Sequence, residues 1–306
     1  MNAARWRIAP EVAQALAAKQ AVVALETTVV THGLPAPEGV QVARDMEALV
    51  VAAGATPATI GVLGGQVRVG MSEAELNELA TTPEVPKLNL SNFAGALIAR
   101  GVGSTTVAAT MLVARHAGIP VFATGGIGGV HRGVSESDDV SADLTALGRF
   151  PVAVVCSGAK AILDLPRTVE RLETLGVPVY GYRCDDFPAF WRRSSGLKLD
   201  QRFDDMAALA EAIREHLELG TGTGVVVANP VPEADELDEF MYERGLSGAL
   251  EMIVSEGIRG RAVTPYMLEY IQMVTGGEVV RSNAALLKDN ARVAGELSVA
   301  LAALRG

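Results

Sequence analysis

Residues 151–168 read PVAVVCSGAKAILDLPRT. An unbroken apolar run over 152–156 stops at Ser157-Gly158-Ala159, Lys160 follows, and the spacing then becomes helical. Apolar runs that do not alternate with polar residues belong to strands covered on both faces, so this stretch predicts a buried strand, a polar turn and a helix. The unit recurs. AVVAL (21–25) precedes a segment, 38–53, in which Val40, Ala43, Met46, Leu49, Val50 and Ala53 fall at helical spacing. PVFATGG (120–126), VPVYGY (177–182) and GVVVAN (224–229) are further strands, with helical patterns near 161–175, 204–218, 234–256, 264–275 and 282–304. TIGVLGGQVRVG (59–70) predicts a hairpin about Gly64-Gly65, Ser72 with Glu75 a capping box, and 108–117 a helix closed by Gly118. Strand–helix alternation of this kind implies a three-layer α/β/α fold: a mostly parallel, partly mixed sheet with helices on both faces. No repeat, low-complexity tract or linker divides the chain, so one domain over 1–306 is expected.

The bulk numbers narrow the function. The 306 residues carry a net charge of −10, which disfavours nucleic acid or an anionic membrane as partner. Two isolated cysteines, Cys156 and Cys184, are too few for a disulfide framework and fit a reducing, cytoplasmic setting. No leader-like apolar region is read near the N-terminus, and the longest uncharged run, 48–67, is broken by Gly54, Pro57, Gly61, Gly64 and Gly65. An enzyme acting on a small molecule is the expectation.

In open α/β sheets ligands bind beyond the carboxyl ends of the strands. Those ends are followed by Glu26, by 124–132, by 157–160 and by Asn229. Of 26 basic residues only five are lysine: Lys19, Lys87, Lys160, Lys198 and Lys288. Arginine cannot lose its proton whereas a desolvated lysine can, so Lys160, placed after a buried strand at the start of a helix, is a candidate amine nucleophile. A helix N-terminus there would favour its neutral form; snorkelling to solvent is the plain alternative. Glu26, flanked by apolar residues, suits a general acid whose pKa burial raises, or a simple surface carboxylate. ATGGIGGVHRG (123–133) packs five glycines into eleven residues but is neither a dinucleotide fingerprint nor a P-loop; it reads as a tight loop near a site, with His131 in it. Asp139 and Asp143 stand four apart and would share a face if helical, suiting a hard cation; Asp139 or Ser141 equally suits a helix N-cap. Lys87 can meet a phosphate as a point charge or lie in solvent. Ser282 or Asn283 suits the N-cap of the last helix. Cys156 reads as a buried strand residue.

Together, ALETTVVTHGLPAPEG (24–39), GSTTVAATM (103–111), VFATGGIGGVHRG (121–133), DDVSADL (138–144), VVCSGAKAILDLPRTVERLETLGVPVYGY (154–182), VVVANPVPE (225–233) and TPYMLEYIQMVTGG with RSN (264–277, 281–283) resemble the pseudouridine-5′-phosphate glycosidase family, which includes the indigoidine-synthase-A-like proteins. The likeness covers about residues 8–300. It implies reversible cleavage of the carbon–carbon glycosidic bond of pseudouridine 5′-phosphate to uracil and ribose 5-phosphate through a lysine Schiff base. Lys160 then matches the imine-forming lysine, Glu26 the acid that protonates the opening sugar, and Asp139 the Mn²⁺ ligand. Lys87, Val107, Ser141-Ala142-Asp143, His131 and Asn283 match substrate contacts or neighbours, and a homotrimer is implied. Many members continue after the lysine with Ser-Arg-Arg-Asp, where this chain has LNLSNF (88–93). That difference leaves room for another phosphorylated C- or N-glycoside as substrate. A noncatalytic nucleotide-binding protein is a third reading, and it predicts no covalent adduct at Lys160.

Overall fold

The structure is a computed structural model that describes residues 5–35, 37–258 and 263–305. In chain order the elements are β1 (Trp6–Ile8), α1 (Pro10–Ala17), β2 (Val22–Glu26), α2 (Glu38–Ala52), β3 (Thr56–Leu63), β4 (Gln66–Val69), α3 (Glu73–Thr81), β5 (Lys87–Leu88), α4 (Phe93–Ile98), β6 (Gly103–Thr105) and α5 (Val107–Ala117). There follow β7 (Val121–Ala123), α6 (Val134–Ser137), α7 (Ala142–Leu147), β8 (Ala153–Cys156), α8 (Leu165–Thr174), β9 (Val179–Tyr182), β10 (Gln201–Phe203), α9 (Met206–Glu218), β11 (Val225–Ala228), α10 (Glu239–Glu256), α11 (Val263–Val274) and α12 (Glu278–Ala303).

The strands form one mixed sheet in the order β1-β4-β3-β2-β7-β8-β11-β9-β10, with β6 and then β5 branching from β3. Its middle, β3-β2-β7-β8-β11-β9, is parallel throughout. Antiparallel pairing occurs where β3 meets β4 and β6. The predicted hairpin is the β3–β4 turn, where Gly64 and Gly65 take φ of 56° and 71°, values that suit glycine. β2, β8 and β11 are buried along their whole length, as their unbroken apolar sequences require.

Helices cover both faces. α12 lies along α2 and packs on β2, β7 and β8, with α9 beside it. A Cβ on Gly295 would come within 2.6 Å of the Ala53 Cβ, so the α2–α12 approach depends on glycine there. α5 packs on β2, β3 and β7 and is backed by α7, which meets α8. That sandwiching leaves α5 apolar almost all round. The capping box of α3 and the closure of α5 by Gly118, at φ 80°, form as expected.

Two helix starts differ from expectation, and both bear on the site. α8 begins at Leu165, where the Asp164 side chain accepts the Arg167 N–H at 3.1 Å. Lys160 therefore sits in a loop, held by its own N–H to the Ile127 carbonyl at 3.1 Å, and is not at the N-terminus of the helix that follows it. α12 begins at Glu278 after Gly277, at φ 90°, so Asn283 lies inside the helix and Ser282 is buried instead of capping. In addition, α10 starts at Glu239 behind an Asp238 cap. Among the described residues no helix is long and apolar enough to cross a membrane.

Candidate active site

Register places the site. Glu26 ends β2 opposite Ile60, Ala123 of β7 pairs with Leu25 and Val155, and Cys156 of β8 pairs with Ala228. The next residues, Thr124, Ser157 and Asn229, therefore emerge at one edge with Glu26. Asn290 of α12 joins three of these ends. Fully buried, it donates to the Thr124 carbonyl at 2.8 Å and to Ser157 Oγ at 3.1 Å, and accepts from Asn229 Nδ2 at 2.9 Å. Thr124 Oγ1 in turn donates to the Glu26 carboxyl group, as does Thr28 Oγ1. Replacing Asn290 with Leu would strand buried polar partners on three strand ends, at about 1–3 kcal/mol for each group left unpaired. Urea unfolding of Asn290→Leu is expected to show a loss of at least about 2 kcal/mol.

Above this edge lies an open pocket lined by Glu26, Lys160, Lys87, His32, Asn283 and Phe190 among others. Glu26 is 8% exposed. Burial raises its pKa, and the Asp143 charge adds to the rise; Lys160 and the two threonine hydroxyls oppose it. The net direction favours the protonated form of a carboxyl group that lines the pocket. The Lys87 ammonium is held below its usual pKa by desolvation and then by the Lys160 charge. Burial and Lys87 lower His32 to about 4, so it is neutral at physiological pH. Cys156 is buried and pushed up to about 12 by desolvation, which removes it as a nucleophile.

Glycines of the 123–133 loop permit close packing more than they cradle an anion. A Cβ on Gly126 would lie 2.7 Å from the Phe190 ring. Gly128 lies against Ser141 and Asp143, whose carboxylate accepts the Ala108 N–H at 2.9 Å and the Gly128 N–H at 2.8 Å. Asp143 thus ties the start of α5 to the glycine loop.

The structure gathers Glu26, Lys160, Lys87 and Asn283 in the pocket, with Asp143 close enough to act on Glu26. Val107 is buried at the first position of α5. Ser141 caps α7 by accepting the Asp143 N–H at 3.2 Å, and Ala142 is its first residue. Asp139 precedes α7, so it shares no helix face with Asp143. Its side chain is 39% exposed, with His131 Nδ1 3.9 Å from it, and neither residue lines the pocket. His32, Phe190 and Asn290 had no role in the sequence reading. His32 sits on a π-helical turn, Val29–Gly33, that composition does not announce. Asn290 was detectable as an amide on the otherwise apolar stripe of Leu286, Leu287, Ala291 and Ala294.

The class of protein that this sheet edge and its Glu–Lys–Lys pocket define is a family of α/β proteins. The model of the family described as indigoidine synthase A like protein matches residues 11–300, and the chain belongs to that family. A relative from Methylobacterium nodulans named pseudouridine-5′-phosphate glycosidase is 53% identical over 97% of this chain and 88% of its own length. One of the same name from Solibacter usitatus is 50% identical over 96% of this chain and 99% of its own. The crystal structure of the prealnumycin C-glycosynthase AlnA in complex with ribulose 5-phosphate superposes with a TM-score of 0.92 at 40% identity, covering 98% of each chain. An indigoidine synthase A-like protein from Thermotoga maritima superposes with a TM-score of 0.87 at 34% identity, over 97% of this chain and 96% of that one.

Proposed function

We propose that this chain is a pseudouridine-5′-phosphate glycosidase, cleaving the carbon–carbon glycosidic bond to release uracil and ribose 5-phosphate. The observation that carries the reading is the convergence of Lys160 and a buried Glu26, whose pKa burial raises, in one pocket with Lys87. No heteroatom joins uracil to the sugar, so protonating a leaving group cannot break the bond, and C1′ needs an electron sink. Lys160 attacks C1′ as the neutral amine while the C1′–O4′ bond breaks and O4′ takes the Glu26 proton. Attack leaves Lys160 as an ammonium; one proton passes from it to uracil C5, and the amine lone pair then pushes the C1′–C5 pair onto uracil, leaving an iminium between Lys160 and C1′. Water adds to it and expels the amine, giving ribose 5-phosphate and free Lys160. One hard cleavage becomes a sequence of easier ones. Lys87 serves the phosphate as a point charge, beside the LNLSNF segment that lacks the family's arginine pair. Supplying pseudouridine 5′-phosphate and following free uracil tests the assignment; absence of release by the native chain contradicts it. Comparing the unphosphorylated nucleoside and other phosphorylated glycosides tests the substrate class.

Among the described residues no group of three or more His, Cys, Asp or Glu side chains clusters to hold a metal ion. The exposed Asp139 carboxylate fits a cation that keeps most of its water, as hard divalent ions do, so Mn²⁺ would sit on Asp139 and supply local positive charge. Manganese titration followed by electron paramagnetic resonance is expected to show binding that Asp139→Ala removes. Assembly as a homotrimer follows from the family resemblance, and analytical ultracentrifugation is expected to find three copies. Two free, buried cysteines support a cytoplasmic setting, which cell fractionation would check.

A further inference from the structure

Between Glu26 and Lys87 the sheet changes partners. β3 pairs with β2 as far as Ile60, opposite Glu26, and with β6 at Gly61 and Val62, while β4 runs along residues 60–63. A strand has two edges, so β6 takes up the edge of β3 that β2 leaves. β6 carries one side of the pocket with it. Lys87 of β5 pairs with Ser104, the Thr106 N–H and hydroxyl both donate to the Leu88 carbonyl at 3.1 and 2.9 Å, and α5 starts at Val107.

Three hydroxyls close this junction. Thr27 Oγ1 and Thr105 Oγ1 both donate to the Ile60 carbonyl, at 2.9 and 2.7 Å. The Thr105 N–H donates to Thr27 Oγ1 at 3.0 Å, and Thr110 Oγ1 of α5 donates to Thr105 Oγ1 at 3.0 Å. Each hydroxyl proton has one acceptor, and both lone pairs of the carbonyl are taken. Thr27, Thr105, Thr110 and Ile60 are all fully buried. Hydroxyls buried this deeply hold one geometry, since any other leaves a group unpaired. The residue after Glu26 is thereby tied to the strand that carries Lys87 and to the start of α5.

We propose that Thr105, together with Thr27 and Thr110, is a positioning residue for the cleavage reaction: the clasp fixes the Glu26 end of β2 against the β5–β6–α5 block, so that a sugar held by its phosphate at Lys87 presents C1′ and O4′ to Lys160 and Glu26. This rests on the glycosidase reading and on Lys87 as its phosphate contact. A misplacement of about 1 Å between reacting groups costs on the order of 10²-fold in rate.

The test follows uracil release from pseudouridine 5′-phosphate, well below the melting temperature of each variant, and separates kcat from KM. Thr105→Val keeps the shape and removes the hydroxyl; kcat is expected to fall about 10–100-fold while KM stays within about twofold of native. Thr105→Ser returns the hydroxyl and is expected to recover kcat to within about threefold. Thr110→Val leaves both bonds to Ile60 in place, is expected to lower kcat about three- to tenfold, and carries the test if Thr105→Val does not fold. Native kcat in the valine variants, a loss that falls on KM instead, or no recovery in Thr105→Ser overturns the positioning role. If the native chain itself releases no uracil, the glycosidase reading falls and the positioning role with it, a result seen before any variant is made.

Discussion

Lys160→Ala is expected to lower uracil release from pseudouridine 5′-phosphate by at least about 10⁴-fold, the scale on which loss of a covalent nucleophile is felt. The loss should lie in kcat, because Lys87, His32 and Asn283 still line the pocket. Lys160→Arg is the sharper variant. It keeps the positive charge but has no amine that can condense with C1′, since guanidinium does not lose its proton. If Lys160 served only as a counter-charge to phosphate or to Glu26, arginine would restore a large part of the rate. The imine account predicts that it restores none. Lysine is scarce in this chain, so few other amines can stand in, and Lys87 is the one that shares the pocket.

Glu26→Gln is expected to lower kcat by about 10²–10⁴-fold, the usual contribution of a positioned general acid, and to raise stability at neutral pH. Burial lifts the native carboxyl above its ordinary value of 4.5, so between 4.5 and the raised native value the folded state binds the proton more tightly than the unfolded chain. Stability of the native chain therefore falls as pH rises through that window and stays lower above it. Below 4.5 both states are protonated and the penalty vanishes. The glutamine side chain does not ionise, so thermal melts of Glu26→Gln should exceed those of the native chain above the window and converge with them below it. Each unit of upward shift is worth about 1.4 kcal/mol. Activity follows the same titration: the acid is lost as pH rises through the raised value, and kcat/KM should fall there. Equal melting temperatures at neutral and acidic pH would mean that the carboxylate is not destabilised by its surroundings.

The middle of the sheet was legible because its strands are covered on both faces. Such strands must be apolar throughout, and the first polar residue after each one marks the sheet edge. Glu26, Thr124, Ser157 and Asn229 were placed by that rule alone. Helix starts were less legible. Ala161, Ile162 and Leu163 continue the apolar spacing toward α8 and are buried, yet the segment is a loop, pinned by the bridge between Ile127 and Ala159 until Asp164 caps the helix. Ser282 resembles a cap, but Gly276-Gly277 supplies the left-handed turn and the helix begins there. The short strands β1, β5, β6 and β10 exist through pairing with distant partners, which periodicity over a few residues does not encode. The same holds for His32, whose place in the pocket is set by a π-helical turn and by the distant Asn283. Asp139 and Asp143 read as a pair from spacing, but the backbone turns between them, so one faces outward and the other is consumed by two backbone N–H groups. The residues matched through the family resemblance needed tertiary structure to be sorted into those that reach the pocket and those that hold its walls.

Incubating the native chain with ribose 5-phosphate and borohydride, then mapping the modified peptide by mass, tests the covalent account most directly. A reduced pentose phosphate on Lys160, absent from Lys160→Arg, is the predicted result. An adduct on Lys87 instead, or an active enzyme that yields no adduct, would contradict it.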